Sequence, residues 1–201
     1  MDTSLDKLLK KAYNSGRIFP PDVLAYIVLS VVEALEYLHQ LEVIHRDVKP
    51  SNMLADCQGR VKICNFEVSA DLENSIALTN IGTQAYLASE RINTRENKGF
   101  CIRSDVWSLG LSVLELATGK PCYPQSQNVV HEPSPRLPES NSLRKSIDSC
   151  LMKNKDGRLN YVQLLKSEFL SNVDAKSAAI KNKINGKYTY MKEIIYLYKS
   201  T

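Results

Sequence analysis

The chain lacks any long run of apolar residues, although 43% of its 201 residues are hydrophobic. A membrane-spanning helix needs about 20 consecutive apolar residues, so none is predicted. The first residues, MDTSLDKLLKK, also lack the apolar stretch of a secretory signal peptide. We therefore expect no membrane partner and a cytoplasmic location, with the nucleus as an alternative.

Paired cysteines are absent as well. The cysteines are an odd number and form neither a Cys-x-x-Cys pair nor a regular spacing; they are Cys57, Cys64, Cys101, Cys122 and Cys150. Disulfide frameworks and structural zinc sites depend on such patterns. The sequence therefore predicts free thiols in a reducing compartment, most of them acting as small apolar side chains.

Excess positive charge is confined to one end of the chain. Residues 172–201 contain six lysines and two acidic residues, whereas residues 1–171 carry 20 basic and 20 acidic side chains. The main part of the chain is therefore neutral, and no nucleic-acid partner is expected. We assign residues 171–201 as a basic tail that could form one helix near residues 190–198. Such a tail is either a solvated segment or a contact for an acidic partner surface.

Two apolar patterns predict the main helices. Apolar residues recur at three- and four-residue steps over residues 22–40. Residues 102–118 are apolar on most sides of a helix that Gly119 and Pro121 would end. Residues 52–55 and 61–64, joined through a Cys-Gln-Gly turn, predict a small β-hairpin. Shorter predicted elements are a strand at residues 43–44 and helices over residues 1–12, 143–152 and 161–170.

The chemistry is concentrated in one stretch, His45-Arg46-Asp47-Val48-Lys49-Pro50-Ser51-Asn52. Asp47 offers an acceptor for a hydroxyl proton, Lys49 a cation for phosphate oxygens, and Asn52 an oxygen ligand for magnesium. Phosphoryl transfer uses these three groups, because it is catalysed mainly by positioning and by neutralisation of charge. The stretch also matches the catalytic-loop pattern H-R-D-L-x-x-x-N of protein kinases, with Val48 in place of leucine.

Further segments resemble one family of protein kinases, the MAP kinase kinases, which are dual-specificity activators of MAP kinases. The matching phrases, in family order, are MDTSLDK, IHRDVKPSN, VKIC-NFE-VS, NSIALT, GTQAYLASERI, SDVWSLG and EPSPRLP. They cover most of residues 1–170. The resemblance implies the C-terminal lobe of a protein kinase, a mainly α (α+β) fold with a small β-hairpin. It also implies that the N-terminal lobe is absent.

The resemblance assigns catalytic and cofactor roles to the loop. Asp47 takes the role of catalytic base, and Lys49 that of the γ-phosphate contact. ATP would be held by Lys49, Ser51 and Asn52. Magnesium would be held by Asn52 and by Asn65, which stands where the family has an aspartate. ATP and Mg²⁺ are the family's cofactors.

The resemblance also implies structural roles and modification sites. Arg46 faces the activation segment, and Asp105 braces the catalytic loop from the buried helix. Glu90 would pair with Arg158 in an ion pair that anchors the activation segment. Ser75 and Thr79 correspond to the positions that an upstream kinase phosphorylates in the family.

Departures from the family concern the metal and nucleotide sites. Asn65-Phe66-Glu67 replaces the family's Asp-Phe-Gly, so the magnesium aspartate is lost and Glu67 brings a carboxylate toward the phosphates. A glycine-rich phosphate loop, a Val-Ala-Ile-Lys-like strand lysine and its partner glutamate are missing. We therefore expect poor binding of ATP and Mg²⁺ by this chain.

Three hypotheses about function remain open at this point. The chain is a truncated pseudokinase that binds a MAP kinase or the upstream MAP kinase kinase kinase as an interaction module. Alternatively, it is an active ATP-dependent dual-specificity kinase that phosphorylates a MAP kinase, if the gene model starts too late and a lobe precedes Met1. Thirdly, it is a poorly folded fragment. The lost aspartate and the missing nucleotide elements favour the first.

Overall fold

Helices dominate the computed structural model, which describes residues 1–65, 85–92, 101–123, 128–138, 141–171 and 173. The helices are α1 (Leu5–Asn14), α2 (Pro21–Gln40), α3 (Ser89–Ile92), α4 (Ile102–Thr118), α5 (Asn128–His131), α6 (Ser142–Cys150) and α7 (Tyr161–Leu165). The strands are β1 (Thr3–Ser4), β2 (Met53–Ala55) and β3 (Val61–Ile63). The predicted mainly helical fold with a small antiparallel sheet is thereby confirmed.

The small sheet has one strand more than the predicted hairpin. Its order is β1-β2-β3, with both pairs antiparallel. The N-terminal helix starts only at Leu5, because residues 3–4 are extended and pair with β2. Asp2 strengthens this edge: its backbone N–H donates to Ala55 O at 2.9 Å, and its carboxylate accepts from the backbone N–H of Cys57 at 2.8 Å.

The predicted strand at residues 43–44 was wrong, since these residues form neither strand nor helix. The backbone N–H of Val43 donates instead to Leu38 O at 2.9 Å, in the last turn of α2. Its donor is therefore used to close the helix rather than to extend a sheet. The chain leaves α2 in this way and enters the stretch that begins at His45.

Helix α4 lies at the centre of the core, and its predicted bounds are confirmed. It packs against α2 and α6, and Val106, Trp107 and Leu109 are at most 1% exposed. At Gly110 a Cβ atom would lie 2.7 Å from Cys150 Cβ, so glycine permits the close approach of α6. Gly119 ends the helix in the left-handed conformation, with φ of 75° and its N–H bonded to Glu115 O.

Helix α2 begins one residue before its predicted start, with Pro20 as N-cap and Pro21 in the first turn. It packs against α4, α7 and β3, so it connects the core to the sheet. No helix among the described residues is long and apolar enough to cross a membrane. All five cysteines are free, as predicted, and burial raises the pKa of the Cys150 thiol to about 12.

The C-terminal helices start at asparagine caps. The Asn141 side chain accepts from the backbone N–H of Arg144, and Asn160 forms a capping box with Gln163 before α7. The predicted helix over residues 161–170 is broken, because α7 ends at residue 165 and helical backbone resumes over residues 168–171. Within residues 121–138 the short helix α5 forms, for which no pattern was predicted.

Candidate active site

The backbone of the loop after α2 is held by a carboxylate from the central helix. Asp105 Oδ2 accepts from the backbone N–H of His45 at 3.0 Å, and Oδ1 accepts from that of Arg46 at 2.9 Å. The hydroxyl of Tyr161 donates to Oδ2 at 3.2 Å. Burial raises the pKa of Asp105 to about 6, while these three hydrogen bonds act in the opposite direction. Arg46 has a left-handed backbone, with φ of 69°.

His45 connects this loop to the segment that follows β3. Its Nε2 lies 2.9 Å from Cys64 O, and its Nδ1 lies 3.3 Å from the backbone nitrogen of Asp47. A neutral ring satisfies both contacts when Nε2 donates and Nδ1 accepts. Burial lowers the pKa of His45, which favours the neutral form. The role of His45 is therefore to fix the loop.

Asp47, Lys49 and Asn52 meet in one polar cluster. Lys49 Nζ lies 2.9 Å from Asp47 Oδ2 in an ion pair whose side chains are 18% and 30% exposed, respectively. Asn52 is almost fully buried, and its Nδ2 donates to Asp47 O at 2.7 Å and to Asp47 Oδ2 at 2.8 Å. The structure thus brings together the three residues that the loop motif singled out for phosphoryl transfer.

Asn65 joins the same cluster from the end of the hairpin. Its Nδ2 donates to Asn52 Oδ1 at 3.1 Å. The neighbouring residue Cys64 is held on both sides, because its N–H donates to Asn52 O and its carbonyl accepts from His45. Asn65 itself is left-handed, with φ of 60°, a conformation that asparagine tolerates better than most residues.

The described residues of this cluster do not fit a magnesium ion well. Mg²⁺ is usually held through carboxylates in near-octahedral geometry. The cluster offers one carboxylate, Asp47, whose Oδ2 already contacts Lys49 and Asn52. Asn52 Oδ1 is a neutral oxygen that already accepts a hydrogen bond from Asn65. Within the described ranges no group of three or more His, Cys, Asp and Glu side chains could hold a metal ion; Glu67 lies outside them.

Glu90 in α3 and Arg158, which follows the 3-10 turn Lys155–Gly157, form a second charged site. The guanidinium donates from Nη1 to Oε1 at 2.6 Å and from Nη2 to Oε2 at 2.7 Å. The Arg158 side chain is fully buried, and it also donates to the carbonyls of Arg103, Met152 and Lys153. Ser104 adds a hydrogen bond to Glu90. This bidentate pair ties α3 to the turn before α7.

The other predicted site residues are either exposed or outside the described residues. Ser51 is exposed in a 3-10 turn formed by Pro50–Asn52. Ser75 and Thr79 lie outside the described residues, as do Phe66, Glu67 and almost all of the predicted tail. Their assigned roles stay predictions.

Two contacts that position the site were missed by reasoning from the sequence. One is Tyr161, whose only sequence signal is its place after the cap residue Asn160. The other is the hydrogen bond from the Tyr86 hydroxyl to the Glu115 carboxylate, which joins the segment before α3 to α4. Ser108 reinforces that junction by donating to Tyr86 O at 2.8 Å. Burial raises the pKa of both Tyr86 and Glu115.

Comparison with known proteins assigns this arrangement to a family. The family described as the protein kinase domain matches residues 1–170. The dual specificity mitogen-activated protein kinase kinase sek-1 of Caenorhabditis elegans is 39% identical over 183 residues, covering 85% of this chain and 54% of that protein. The mitogen-activated protein kinase kinase MST7 of Pyricularia oryzae is 41% identical over 168 residues, covering 71% of this chain and 40% of that protein. The chain spans about half the length of these curated relatives.

Proposed function

We propose that this chain, which belongs to the protein kinase superfamily and within it to the MAP kinase kinase family, is a pseudokinase. Its function would be that of a non-catalytic interaction module in a MAP kinase signalling cascade. The proposed partners are a MAP kinase and an upstream MAP kinase kinase kinase, and the proposed location is the cytoplasm or the nucleus. It would compete with active relatives for these partners.

The proposal depends on one observation: the loop is held in place, but the described residues offer a single carboxylate at the site where the family binds magnesium. Asp105 holds the loop backbone as a structural support. The same loop presents one carboxylate, Asp47, with Asn65 beside it. Phosphoryl transfer depends on metal ions that neutralise charge on the phosphates. A loop that is held in place without a full set of metal ligands among the described residues supports binding rather than catalysis.

A second candidate function is ATP-dependent phosphorylation of a MAP kinase on Ser, Thr and Tyr. The observation in its favour is the cluster of Asp47, Lys49 and Asn52, in which a base, a cation and an amide lie within hydrogen-bonding distance. This function would require the nucleotide and magnesium to be held by groups other than those described.

A phosphotransfer assay decides between the two. Radiolabelled phosphate incorporation into a kinase-dead MAP kinase would be measured with the full chain, Mg²⁺ and ATP, and Asp47→Asn would serve as the blank. We expect no difference between the two proteins. Incorporation above the blank would overturn the pseudokinase assignment and support the second candidate.

Binding is tested separately from catalysis. Calorimetric titration of the full chain with a MAP kinase and with a MAP kinase kinase kinase should detect at least one complex. Deleting residues 172–201 should weaken binding of the upstream kinase. The loss should be larger at low salt, because salt screens the attraction between the six lysines and an acidic partner surface. A cooperative thermal transition must accompany these data, and its absence would instead favour the poorly folded fragment.

A further inference from the structure

Neighbouring atoms determine the orientation of the Asn52 side chain. Its Nδ2 lies 2.7 Å from Asp47 O and 2.8 Å from Asp47 Oδ2. Both of these atoms are acceptors, so the amide nitrogen must face them and Oδ1 must point away. Oδ1 then faces Asn65 at 3.1 Å, and an N–H of Asn65 completes the contact. The orientation of Asn65 follows from that of Asn52.

The charge of the cluster is balanced without a metal ion. Asp47 and Lys49 neutralise each other at 2.9 Å, and the two asparagines are neutral. An aspartate at position 65 would add one negative charge and would place a second acceptor against Asn52 Oδ1 with no proton between them. A divalent cation between the two oxygens would relieve this repulsion. Asn65 removes both the repulsion and the need for the cation.

We propose that Asn65 is a positioning residue that holds the catalytic loop in place of a divalent cation. Asp47 orients the Asn52 amide, and the hydrogen bond from Asn65 then satisfies the Asn52 Oδ1 atom that faces away from Asp47. The loop is thereby joined to the end of the hairpin by an arrangement that does not depend on Mg²⁺. The inference rests on the proposed function, because it concerns the same site taken as non-catalytic. It adds the device by which that site stays ordered without metal.

The test compares metal dependence of stability in the full chain and in Asn65→Asp. Thermal unfolding would be followed in EDTA and in millimolar Mg²⁺. The natural chain should have the same midpoint in both. Asn65→Asp should melt lower in EDTA and recover by about 2–4 °C or more in Mg²⁺, since an ion that binds only the folded state stabilises it. The proposal would be overturned if Mg²⁺ shifted the unfolding midpoints of the two proteins equally, or if it raised the midpoint of the natural chain alone.

A matched control separates metal binding from a simple change of charge. Asn141→Asp makes the same substitution at the N-cap of α6, where aspartate caps as well as asparagine. It should show no response to Mg²⁺. A response like that of Asn65→Asp would mean that added charge alone explains the effect, and the proposal would fail.

Two further measurements keep the proposal testable if Asn65→Asp does not fold. Asn65→Gly loses the donor and tolerates the left-handed backbone, so it should melt lower than the natural chain equally in EDTA and in Mg²⁺. Electron paramagnetic resonance of added Mn²⁺ should detect no ion bound by the natural chain. A bound ion that Asn65→Gly abolishes would make Asn65 a metal ligand and refute the proposal. Phosphate transfer would refute the proposed function alone, since neither measurement depends on activity.

Discussion

The guanidinium of Arg158 lies 4.9 Å from the centroid of the Trp107 ring. The same guanidinium donates two hydrogen bonds to the Glu90 carboxylate. One buried cation therefore contacts both an aromatic ring and an anion. Lys153 Nζ lies 5.3 Å from the Trp107 centroid, and burial lowers the pKa of this lysine. Trp107 therefore links the central helix α4 to the ion pair of Glu90 and Arg158.

Removing the Trp107 ring should destabilise the protein strongly. Trp107 is fully buried, and Trp107→Ala should lower the free energy of unfolding by about 3–5 kcal/mol or prevent folding. Denaturation by urea, followed by circular dichroism, measures the change. Tyr37→Ala is the control, because Tyr37 is 62% exposed and its loss should change little. An unchanged transition for Trp107→Ala would contradict the central position of α4.

Glu90 and Arg158 should be energetically coupled, because removing either partner of their buried ion pair leaves the other uncompensated. Glu90→Gln leaves the Arg158 guanidinium without its carboxylate in a buried site, which should cost about 3–5 kcal/mol. Glu90→Gln combined with Arg158→Met should cost less than the sum of the single changes. The same urea titrations provide this double-mutant cycle. For comparison, Glu168→Gln breaks an exposed pair with Lys145 and should cost less than about 1 kcal/mol. Additive single changes would contradict coupling.

Asp105 should make stability fall as the pH rises through a defined window. Burial raises its pKa from the ordinary 3.8 to about 6, so between these values the folded protein binds more protons than the unfolded chain. The free energy of unfolding then falls with pH, by at most about 1.4 kcal/mol per pH unit. The measurement is the difference in this free energy between the natural chain and Asp105→Asn at a series of pH values.

His45 gives stability a pH dependence of the opposite sign, and both the natural chain and Asp105→Asn contain this residue. Burial lowers the pKa of His45, so its contribution to stability is lost as the pH falls below 6.5. Taking the difference between the natural chain and Asp105→Asn removes this effect to first order. The free energy of unfolding of the natural chain minus that of Asp105→Asn should fall as the pH rises from 3.8 to about 6. A value that stays constant or rises would contradict the raised pKa of Asp105.

An upstream kinase of the cascade should modify Ser75 or Thr79 rather than other hydroxyls. The two residues are four positions apart in the segment between Asn65 and Glu90. A phosphate there would add close to two negative charges, which can order a segment against basic groups such as Arg46. Mass-spectrometric site mapping after co-incubation checks this, with the Ser75→Ala and Thr79→Ala double variant as control. Phosphate found only in residues 172–201 would contradict it.

The two main helices could be predicted from local patterns. Helix α4 has the bounds that its apolar residues and Gly119 indicated, and α2 differs by one residue at its start. Both outcomes follow from interactions between residues three or four apart, together with cap chemistry, all of which is visible in a short window. The loop residues Asp47, Lys49 and Asn52 were also identified, from their chemistry and from the resemblance of their stretch to a catalytic-loop motif.

The pairing of β1 with β2 could not be predicted in the same way. Thr3 pairs with Ala55 across a long stretch of chain, and nothing in residues 1–4 indicates that partner. Residues 43–44 have strand-like composition, yet the N–H of Val43 is used by the end of α2. In both cases the availability of a partner decided the outcome, and partners are fixed by the packing of distant elements.

The sequence by itself determined which chemical groups the site contains, including the asparagine at position 65. Tertiary structure alone decided what that asparagine does, because its partner Asn52 lies 13 residues away and the direction of their hydrogen bond depends on Asp47. The same holds for Glu90 and Arg158, which are 68 residues apart. Side-chain hydrogen bonds require positions accurate to a few tenths of an ångström, and only the packed core supplies that accuracy.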